Sequence, residues 1–214
     1  MILEKNPKTR PIYKELLRLM DQAMGLPFPE MKRFKQVTSY HCGPAVLVAY
    51  FSFLGVKASQ RGLVKSLRAG NKIREYGLNL KDMARAARIV GKGKYVFWRK
   101  ANSTVRDLDT IVNKHKWPVG VEWWGIFYEF EDEDSGHYGV ITAVDRKGGF
   151  LRLADFFSEF AGVDRRIKIG DFVKRWWDEN EIKGKTVKDR RMMFVITLKG
   201  ESWPRELGMK RLGA

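Results

Sequence analysis

Residues 36–56 read QVTSYHCGPAVLVAYFSFLGV, and this stretch decides the fold. After Gly43-Pro44 it is almost entirely apolar as far as Gly55, and a proline suits the first turn of a helix. Its length, with Ala and Ser among the apolar residues, favours a helix over a strand. Because no face of that helix is polar, we predict that it is buried on all sides, with Cys42 at its N-terminus.

The segments around this helix predict further helices, followed by strands. The spacing of apolar residues and the capping signals indicate helices over 12–24, 59–69, 80–90, 104–115 and 169–180. Runs rich in Val, Ile, Phe and Trp predict strands at 95–99, 119–124, 138–145, 150–155 and 192–198. We therefore expect an α+β protein in which an N-terminal helical half packs on a C-terminal, mostly antiparallel β-sheet half.

The composition limits the class of protein. The chain has 214 residues, of which 44% are hydrophobic, and this is enough for a folded core. A single cysteine excludes an internal disulfide and a cysteine-rich zinc site. The charged N-terminus lacks the apolar region of a signal peptide, and no apolar run approaches the roughly 18 residues of a membrane span. We therefore expect a soluble protein of the cytoplasm.

Cys42 precedes Gly43-Pro44 at the start of the predicted buried helix. The first backbone N–H groups of a helix and the helix dipole stabilise a negative charge, so a thiolate is favoured there. A lone cysteine is also a common small residue of a hydrophobic core. The sequence leaves these two interpretations evenly balanced until a base for the thiol is found.

Three histidines could serve as that base: His41, His115 and His137. His41 is adjacent to Cys42, and adjacent side chains diverge at a helix start or in an extended segment. His115 ends a predicted helix, where a positive imidazole complements the helix dipole. His137 precedes a predicted strand and so stands at a sheet edge or at the lip of a cleft. We therefore expect His137 to be the base.

Antiparallel pairing selects the carboxylate that would orient this histidine. If residues 146–149 turn the chain, the end of the strand at 150–155 returns beside the start of the strand at 138–145. Asp155 then lies close to His137, although an aspartate at a strand end is common by itself.

Gln36 stands six residues before Cys42. Its side-chain amide could point at the oxyanion that forms when a thiolate attacks a carbonyl, together with the Cys42 backbone N–H. A single glutamine carries no information by itself. The order Gln36, Cys42, His137, Asp155, however, is the order of the corresponding residues in papain-like enzymes.

The sequence around these four residues resembles the bacteriocin-processing, double-glycine leader peptidases. Residues 36–56 are similar to the cysteine-bearing helix entry of that family, and GHYGVITAVDRKGGFLRLAD at 136–155 is similar to its histidine and aspartate strands. The resemblance implies a papain-like α+β fold and cleavage of a peptide or amide bond through a covalent thioester, with no metal or organic cofactor. The roles it implies are nucleophile for Cys42, general base and then acid for His137, orienting group for Asp155 and oxyanion donor for Gln36.

Two other functions stay open at this point. Phytochelatin synthase-type enzymes share the same residue order, so an acyl or γ-glutamyl transferase is an alternative to a peptidase. A basic nucleic-acid-binding or protein-binding module with an idle papain-like site is the other alternative.

The charge of the chain is strongly positive. Lysine and arginine number 41 against 25 aspartate and glutamate, which gives +16. Residues 57–100 hold 13 lysines or arginines and two acidic residues, Glu75 and Asp82, so their net charge is 13 − 2 = +11. Such a segment could bind a phosphate backbone. Because it lacks the interleaved aromatic residues of single-strand binders, we favour a solvated helical face.

An acidic segment without lysine or arginine precedes His137. We expect it to form a loop that either selects a basic peptide substrate or is simply solvated. Its acidic residues are Glu122, Glu129, Glu131, Asp132, Glu133 and Asp134.

We divide the chain into three parts on this basis. We expect residues 1–30 to form an N-terminal helical extension, residues 31–200 a papain-like cysteine peptidase domain, and residues 201–214 a C-terminal tail.

Overall fold

The apolar run after Gly43-Pro44 forms helix α1, Cys42–Phe53. The computed structural model describes residues 16, 19, 30–125, 136–157, 160–162, 164–182 and 185–213. Every residue of α1 from Cys42 to Phe51 is buried, so this part of the helix has no solvent-facing side. The prediction of a buried helix that begins at Cys42 is confirmed.

Further helices follow α1 and pack around it. Ser59 caps the second helix by accepting a hydrogen bond from the Gly62 N–H (3.1 Å), and Asn79 caps the fourth by accepting one from the Asp82 N–H (3.0 Å). The helices predicted over 59–69 and 80–90 are confirmed, whereas the short helix between them was not predicted. These helices are α2 (Gln60–Leu67), α3 (Lys72–Tyr76) and α4 (Leu80–Val90).

An antiparallel sheet forms most of the remaining chain. Within the described residues, seven strands form one sheet in the order β5-β4-β3-β2-β8-β1-β9, and strands β6 and β7 form a separate hairpin. All of the paired strands are antiparallel. The strands are β1 (Tyr95–Lys100), β2 (Val119–Trp124), β3 (Gly136–Asp145), β4 (Phe150–Ala154), β5 (Asp164–Lys168), β6 (Trp177–Ile182), β7 (Lys185–Arg190), β8 (Met193–Leu198) and β9 (Lys210–Leu212).

A hydrophobic cluster covers each face of the large sheet. Successive side chains of a strand point to opposite faces and so enter the two clusters in turn. In β8, Phe194 packs on the side of α1 to α4, whereas Val195 packs on the opposite side. A capping box of Thr104 and Asp107 starts the helix predicted from residue 104, which covers this opposite side. The elements on that side include α5 (Val105–Asp109), a π-helical turn (Thr110–Lys114) and α6 (Ile169–Arg175).

The helix predicted over 169–180 is wrong in its second half. Helix α6 ends at Arg175, and Trp177–Ile182 is strand β6, which pairs residue by residue with β7. The Trp176 carbonyl also accepts a hydrogen bond from the Arg191 N–H (2.8 Å). Local apolar spacing suggested a longer helix because the partner strand that competes for these residues comes later in the chain.

The two ends of the chain differ in what the structure describes. Residues 203–212, which we expected to follow the domain as a tail, form helix α7 (Trp203–Glu206) and strand β9 at the edge of the large sheet. The helix predicted over 12–24 lies outside the described residues except for Leu16 and Leu19, which are helical and each 49% exposed. None of the helices within the described residues has both the length and the apolar character that crossing a membrane requires.

Candidate active site

Cys42 is the first residue of α1 and so lies at the N-terminus of the buried helix. Its thiol is free of any disulfide. The preceding residue, His41, is the N-cap but makes no side-chain capping hydrogen bond. The first N–H groups of α1 have no partners within the helix, as at any helix N-terminus. This environment suits a negative charge on or near the thiol.

His137 lies beside this thiol at the start of β3. The two side chains lie close enough for the charge and hydrogen bonding of Cys42 to raise the pKa of His137. Trp123, the cross-strand partner of His137 in β2, packs edge-on against the imidazole with ring centroids 4.9 Å apart, and Phe157 packs edge-on at 5.9 Å. The two aromatic rings restrict the orientation of the imidazole, which is only 16% exposed.

The hairpin of β3 and β4 brings Asp155 to the same imidazole. Val140 pairs with Ala154, so Asp155 follows β4 beside the start of β3, where we expected it. The His137 Nε2 atom lies 3.0 Å from Asp155 Oδ1, which leaves Nδ1 for the thiol. The Phe157 N–H donates to the same carboxylate oxygen at 2.9 Å.

A buried arginine that sequence reasoning missed holds the other oxygen of Asp155. Arg165 of β5 donates from Nη1 to Asp155 Oδ2 at 2.9 Å, and both side chains are 3% exposed. The Phe160 ring packs on the guanidinium at 3.8 Å. Residues 164–168 read DRRIK, which lacks an apolar strand pattern, so β5 was not predicted and Arg165 could not be placed.

The charges around His137 favour its protonated form. Burial by itself lowers the pKa of His137, but the charge and hydrogen bond of Asp155, followed by those of Cys42, raise that pKa to about 10. The imidazole is therefore a cation near neutral pH, and a cationic imidazole is the partner that a thiolate needs.

Gln36 is buried behind the start of α1 and is tied to the Asp155 loop. Its backbone N–H donates to the Phe156 carbonyl at 2.9 Å. Its Nε2 donates to the carbonyls of Thr38 (2.8 Å) and Ser39 (2.9 Å), so both amide protons already have acceptors. Its Oε1 is buried and has no hydrogen-bond partner among the described residues. The amide must therefore turn or share a proton before it can reach an oxyanion.

The other two histidines lie in different surroundings. His41 bonds through Nδ1 to the Thr38 hydroxyl, and burial and the charge of Arg61 lower its pKa. His115 stacks on Trp203 with ring centroids 4.5 Å apart, and burial and the neighbouring Lys114 lower its pKa. The lowered pKa opposes the positive charge that we expected on His115 at a helix end.

Two buried carboxyl groups, Glu122 and Asp178, lie near His137. Glu122 belongs to β2, is 1% exposed and bonds to Tyr138. Burial, together with the charges of Asp178 and Asp189, raises the pKa of Glu122 to about 8. The inclusion of Glu122 in an acidic loop was therefore wrong, because Glu122 lies in β2, a strand that is buried on both faces.

Asp178 packs directly against the backbone at the start of β3. A Cβ atom on Gly136 would lie 2.0 Å from its Oδ1, so a side chain at this position would displace the Asp178 carboxyl group. Burial and nearby carboxylates raise the pKa of Asp178 to about 7. The remaining residues of the predicted acidic loop, Glu129 and Glu131 to Asp134, lie outside the described residues. Among the described residues, no group of three or more His, Cys, Asp or Glu side chains is arranged to hold a metal ion.

Comparisons with known proteins support the fold assignment. No protein-family model and no curated protein matches the chain. The peptidase domain of Streptococcus ComA, a bifunctional ABC transporter involved in quorum sensing, is similar with a TM-score of 0.53 and 16% identity, over 79% of this chain and 100% of that domain. A structure from Bacillus anthracis described as a C39-like peptidase is similar with a TM-score of 0.56 and 12% identity, over 81% and 99% of the two chains. The chain therefore has the papain-like α+β fold of these peptidase domains, and the fold implied by the sequence resemblance is confirmed.

Proposed function

We propose that this protein is a cysteine peptidase that cleaves a peptide or amide bond with Cys42, His137 and Asp155. One observation carries the proposal. His137 lies between the Cys42 thiol, at the N-terminus of α1, and the Asp155 carboxylate, and it interacts with both. The peptidase fold of the structural neighbours supports the same reaction class. A thiol, an imidazole and a carboxylate are the groups that nucleophilic catalysis by a thiol uses, which supports the proposal.

In this mechanism Cys42 reacts as a thiolate beside the His137 imidazolium. The sulfur forms a bond to the carbonyl carbon of the substrate, and the carbonyl electrons move onto its oxygen. The His137 imidazolium then gives its Nδ1 proton to the leaving nitrogen as the C–N bond breaks, which leaves a thioester on Cys42. A water molecule that loses its proton to His137 then attacks the thioester, and the acid product and the Cys42 thiolate are released.

The tetrahedral oxyanion would be held at the N-terminus of α1. The Cys42 backbone N–H is one donor, and the Gln36 amide is the second once one of its protons leaves the Thr38 or Ser39 carbonyl. The Gln36 amide would then give up a hydrogen bond of the resting protein and donate to the oxyanion. Because the oxyanion exists only during the reaction, this new bond favours the transition state.

Asp155 orients the reaction through His137. It binds Nε2, so the opposite ring nitrogen faces the thiol. Arg165 and the Phe157 N–H hold the Asp155 carboxylate from the other sides. These bonds hold the Asp155 carboxyl group in place, which keeps the imidazole in one orientation.

Alkylation of the sole thiol tests the nucleophile. Iodoacetamide should label Cys42 in the folded protein near neutral pH faster than in the unfolded protein, with the intact mass as the readout. His137→Ala should slow labelling at least about tenfold, whereas the matched variant His115→Ala should not. Labelling no faster than in the unfolded protein would return Cys42 to the role of a core residue.

Cleavage of a mixed peptide library, followed by mass spectrometry, tests the reaction itself. Wild-type protein should release new termini, and Cys42→Ala should release none. A primary amine added to the same reaction separates hydrolysis from transfer, because a transferase would join the acyl group to the amine in place of water. Products joined mainly to the amine would contradict the peptidase proposal.

Gln36→Ala tests the oxyanion donor. Turnover should fall by roughly 10² to 10³, while Cys42 alkylation stays near the wild-type rate, because the donor acts on the transition state and not on the resting thiolate. Full turnover in this variant would remove Gln36 from the mechanism.

A further inference from the structure

Helices α2 and α4 each present a row of basic side chains to solvent. The separations of four and three residues within each row place its members on one face of the helix. All of these side chains are exposed, and we refer to them together as the basic face. They are Arg61, Lys65 and Arg68 of α2 and its C-cap, and Lys81, Arg85 and Arg88 of α4.

The two rows lie on one surface of the molecule. Leu63 and Leu67 on the other side of α2 and Met83 and Ala87 on the other side of α4 enter the same hydrophobic cluster around α1. Helices α2 and α4 also pack directly against each other. Because both helices turn their apolar sides to one core, their basic rows point away from it next to each other.

The basic face has no ion-pairing partner in the part of the chain that the structure describes. Within the described residues, none of its six side chains forms an ion pair. The two acidic residues of the segment 57–100 are Glu75 and Asp82, and Asp82 is already paired with Lys72 at 2.5 Å. Like charges four residues apart destabilise a helix, so the arrangement carries a cost that folding does not explain.

In the described part of the chain, this surface exposes few of the large apolar side chains that a protein partner would need. Protein interfaces centre on apolar and aromatic side chains. Ile89 is the large apolar side chain of α2 or α4 that is exposed among the described residues. A repeating cationic surface without apolar anchors suits a partner with a regular row of negative charges.

We propose that the basic face binds the phosphate backbone of a nucleic acid. The two rows span adjacent helices, so a strand can run along them with its phosphates near the cationic side chains. Such binding uses charge alone and does not need the base-stacking aromatic side chains that this segment lacks. Arg61 ends the α2 row close enough to His41 for its charge to act on that imidazole, and His41 precedes Cys42. Arg61 is therefore the member of the basic face near the start of α1, and binding on this face does not depend on Cys42, His137 or Asp155.

Fluorescence polarisation with a labelled, mixed-sequence single-stranded oligonucleotide tests this proposal. One variant carries Arg61→Gln, Lys65→Gln and Arg68→Gln, and a second carries Lys81→Gln, Arg85→Gln and Arg88→Gln. A control variant loses the same charge on the opposite side and at the β5 end of the sheet, through Lys114→Gln, Lys147→Gln and Lys168→Gln. All nine side chains are exposed, so their replacement leaves the core intact.

Each basic-face variant should bind about tenfold more weakly or worse, and the control should change less than about threefold. The slope of log Kd against log salt should fall by about two for each triple, since each phosphate contact to a single strand contributes about 0.7. Cys42→Ala should bind like the wild type.

Several results would overturn the proposal. Equal weakening in all three triple variants would show that only the net charge matters. Loss of binding in Cys42→Ala would place the oligonucleotide in the catalytic cleft. Binding without salt dependence, or displacement by poly-glutamate as effective as displacement by unlabelled oligonucleotide, would exclude recognition of a phosphate backbone and favour an acidic protein as the partner.

Discussion

Asp164 and Arg165 are consecutive residues of β5, and each belongs to a buried ion pair with a different part of the chain. Arg165 binds Asp155 at 2.9 Å, and Asp164 binds Arg33 at 2.8 Å. The side chains of the first pair are 3% exposed, and those of the second are 6% and 5% exposed. By distance and burial the two pairs are nearly the same.

The two pairs differ in what else their carboxylates bind. Asp164 takes two bonds from Arg33 and one from the Thr142 hydroxyl (2.6 Å), so the protein interior holds both of its oxygens. Asp155 turns Oδ1 to His137, next to the thiol. Neither the length nor the burial of an ion pair therefore reveals a catalytic role, and the group that the carboxylate contacts next is what separates the two pairs.

Exchange of each aspartate for asparagine gives the largest expected contrast. Asp155→Asn should lower turnover by roughly 10² to 10⁴, because an amide can hold the imidazole in the wrong tautomer. Asp164→Asn should leave turnover per folded molecule near wild type but lower the free energy of unfolding by about 3–5 kcal/mol, because the buried Arg33 guanidinium loses the charge of Asp164. Turnover normalised to alkylated Cys42, together with urea unfolding, measures both. Equal losses of turnover in the two variants would erase the distinction.

Removal of the two arginines gives a smaller contrast. Arg165→Met should lower kcat about tenfold with little change in KM, since Asp155 loses a group that positions it and the substrate site is untouched. Arg165→Lys should restore part of kcat, because it returns the charge without the planar geometry. Arg33→Met should destabilise the fold while kcat stays within about twofold of wild type. A kcat for Arg165→Met that matches that for Arg33→Met would give both arginines a purely structural role.

The free energy of unfolding should depend on His137 at alkaline pH and on Asp164 at acid pH. The pKa of His137 rises from 6.5 to about 10 on folding, so its stabilisation is complete below pH 6.5 and is lost as the pH rises toward 10. Burial alone would raise the pKa of Asp164, but Arg33 and Thr142 lower it from 3.8, so its stabilisation is complete above pH 3.8 and is lost as the pH falls further.

Urea unfolding across the pH range, compared between wild type and two variants, checks this prediction. His137→Gln should flatten the alkaline decline only, and Asp164→Asn should flatten the acid decline only. If both variants flattened the loss of stability on the same side of the pH range, the assignment of the alkaline decline to His137 and of the acid decline to Asp164 would be contradicted.

Local patterns predicted much of the candidate site. The Gly-Pro start and apolar run placed Cys42 at a helix mouth, and a four-residue turn placed Asp155 beside the start of β3. Both inferences depend on residues close together in the chain, where capping and hairpin register are set by short-range geometry. The second half of the helix predicted over 169–180 failed because β6 depends on its pairing with β7.

The sequence by itself determined the α+β order of elements, the buried helix that begins at Cys42 and the hairpin that joins His137 to Asp155. Only the tertiary structure decided that Arg165 holds Asp155, that Arg33 reaches Asp164 from 131 residues away, and that the Gln36 amide is occupied in the resting protein. The physical reason is the range of the interactions. Helix caps and turns are closed by neighbouring residues, whereas a buried charge takes whichever partner the packed strands bring to it.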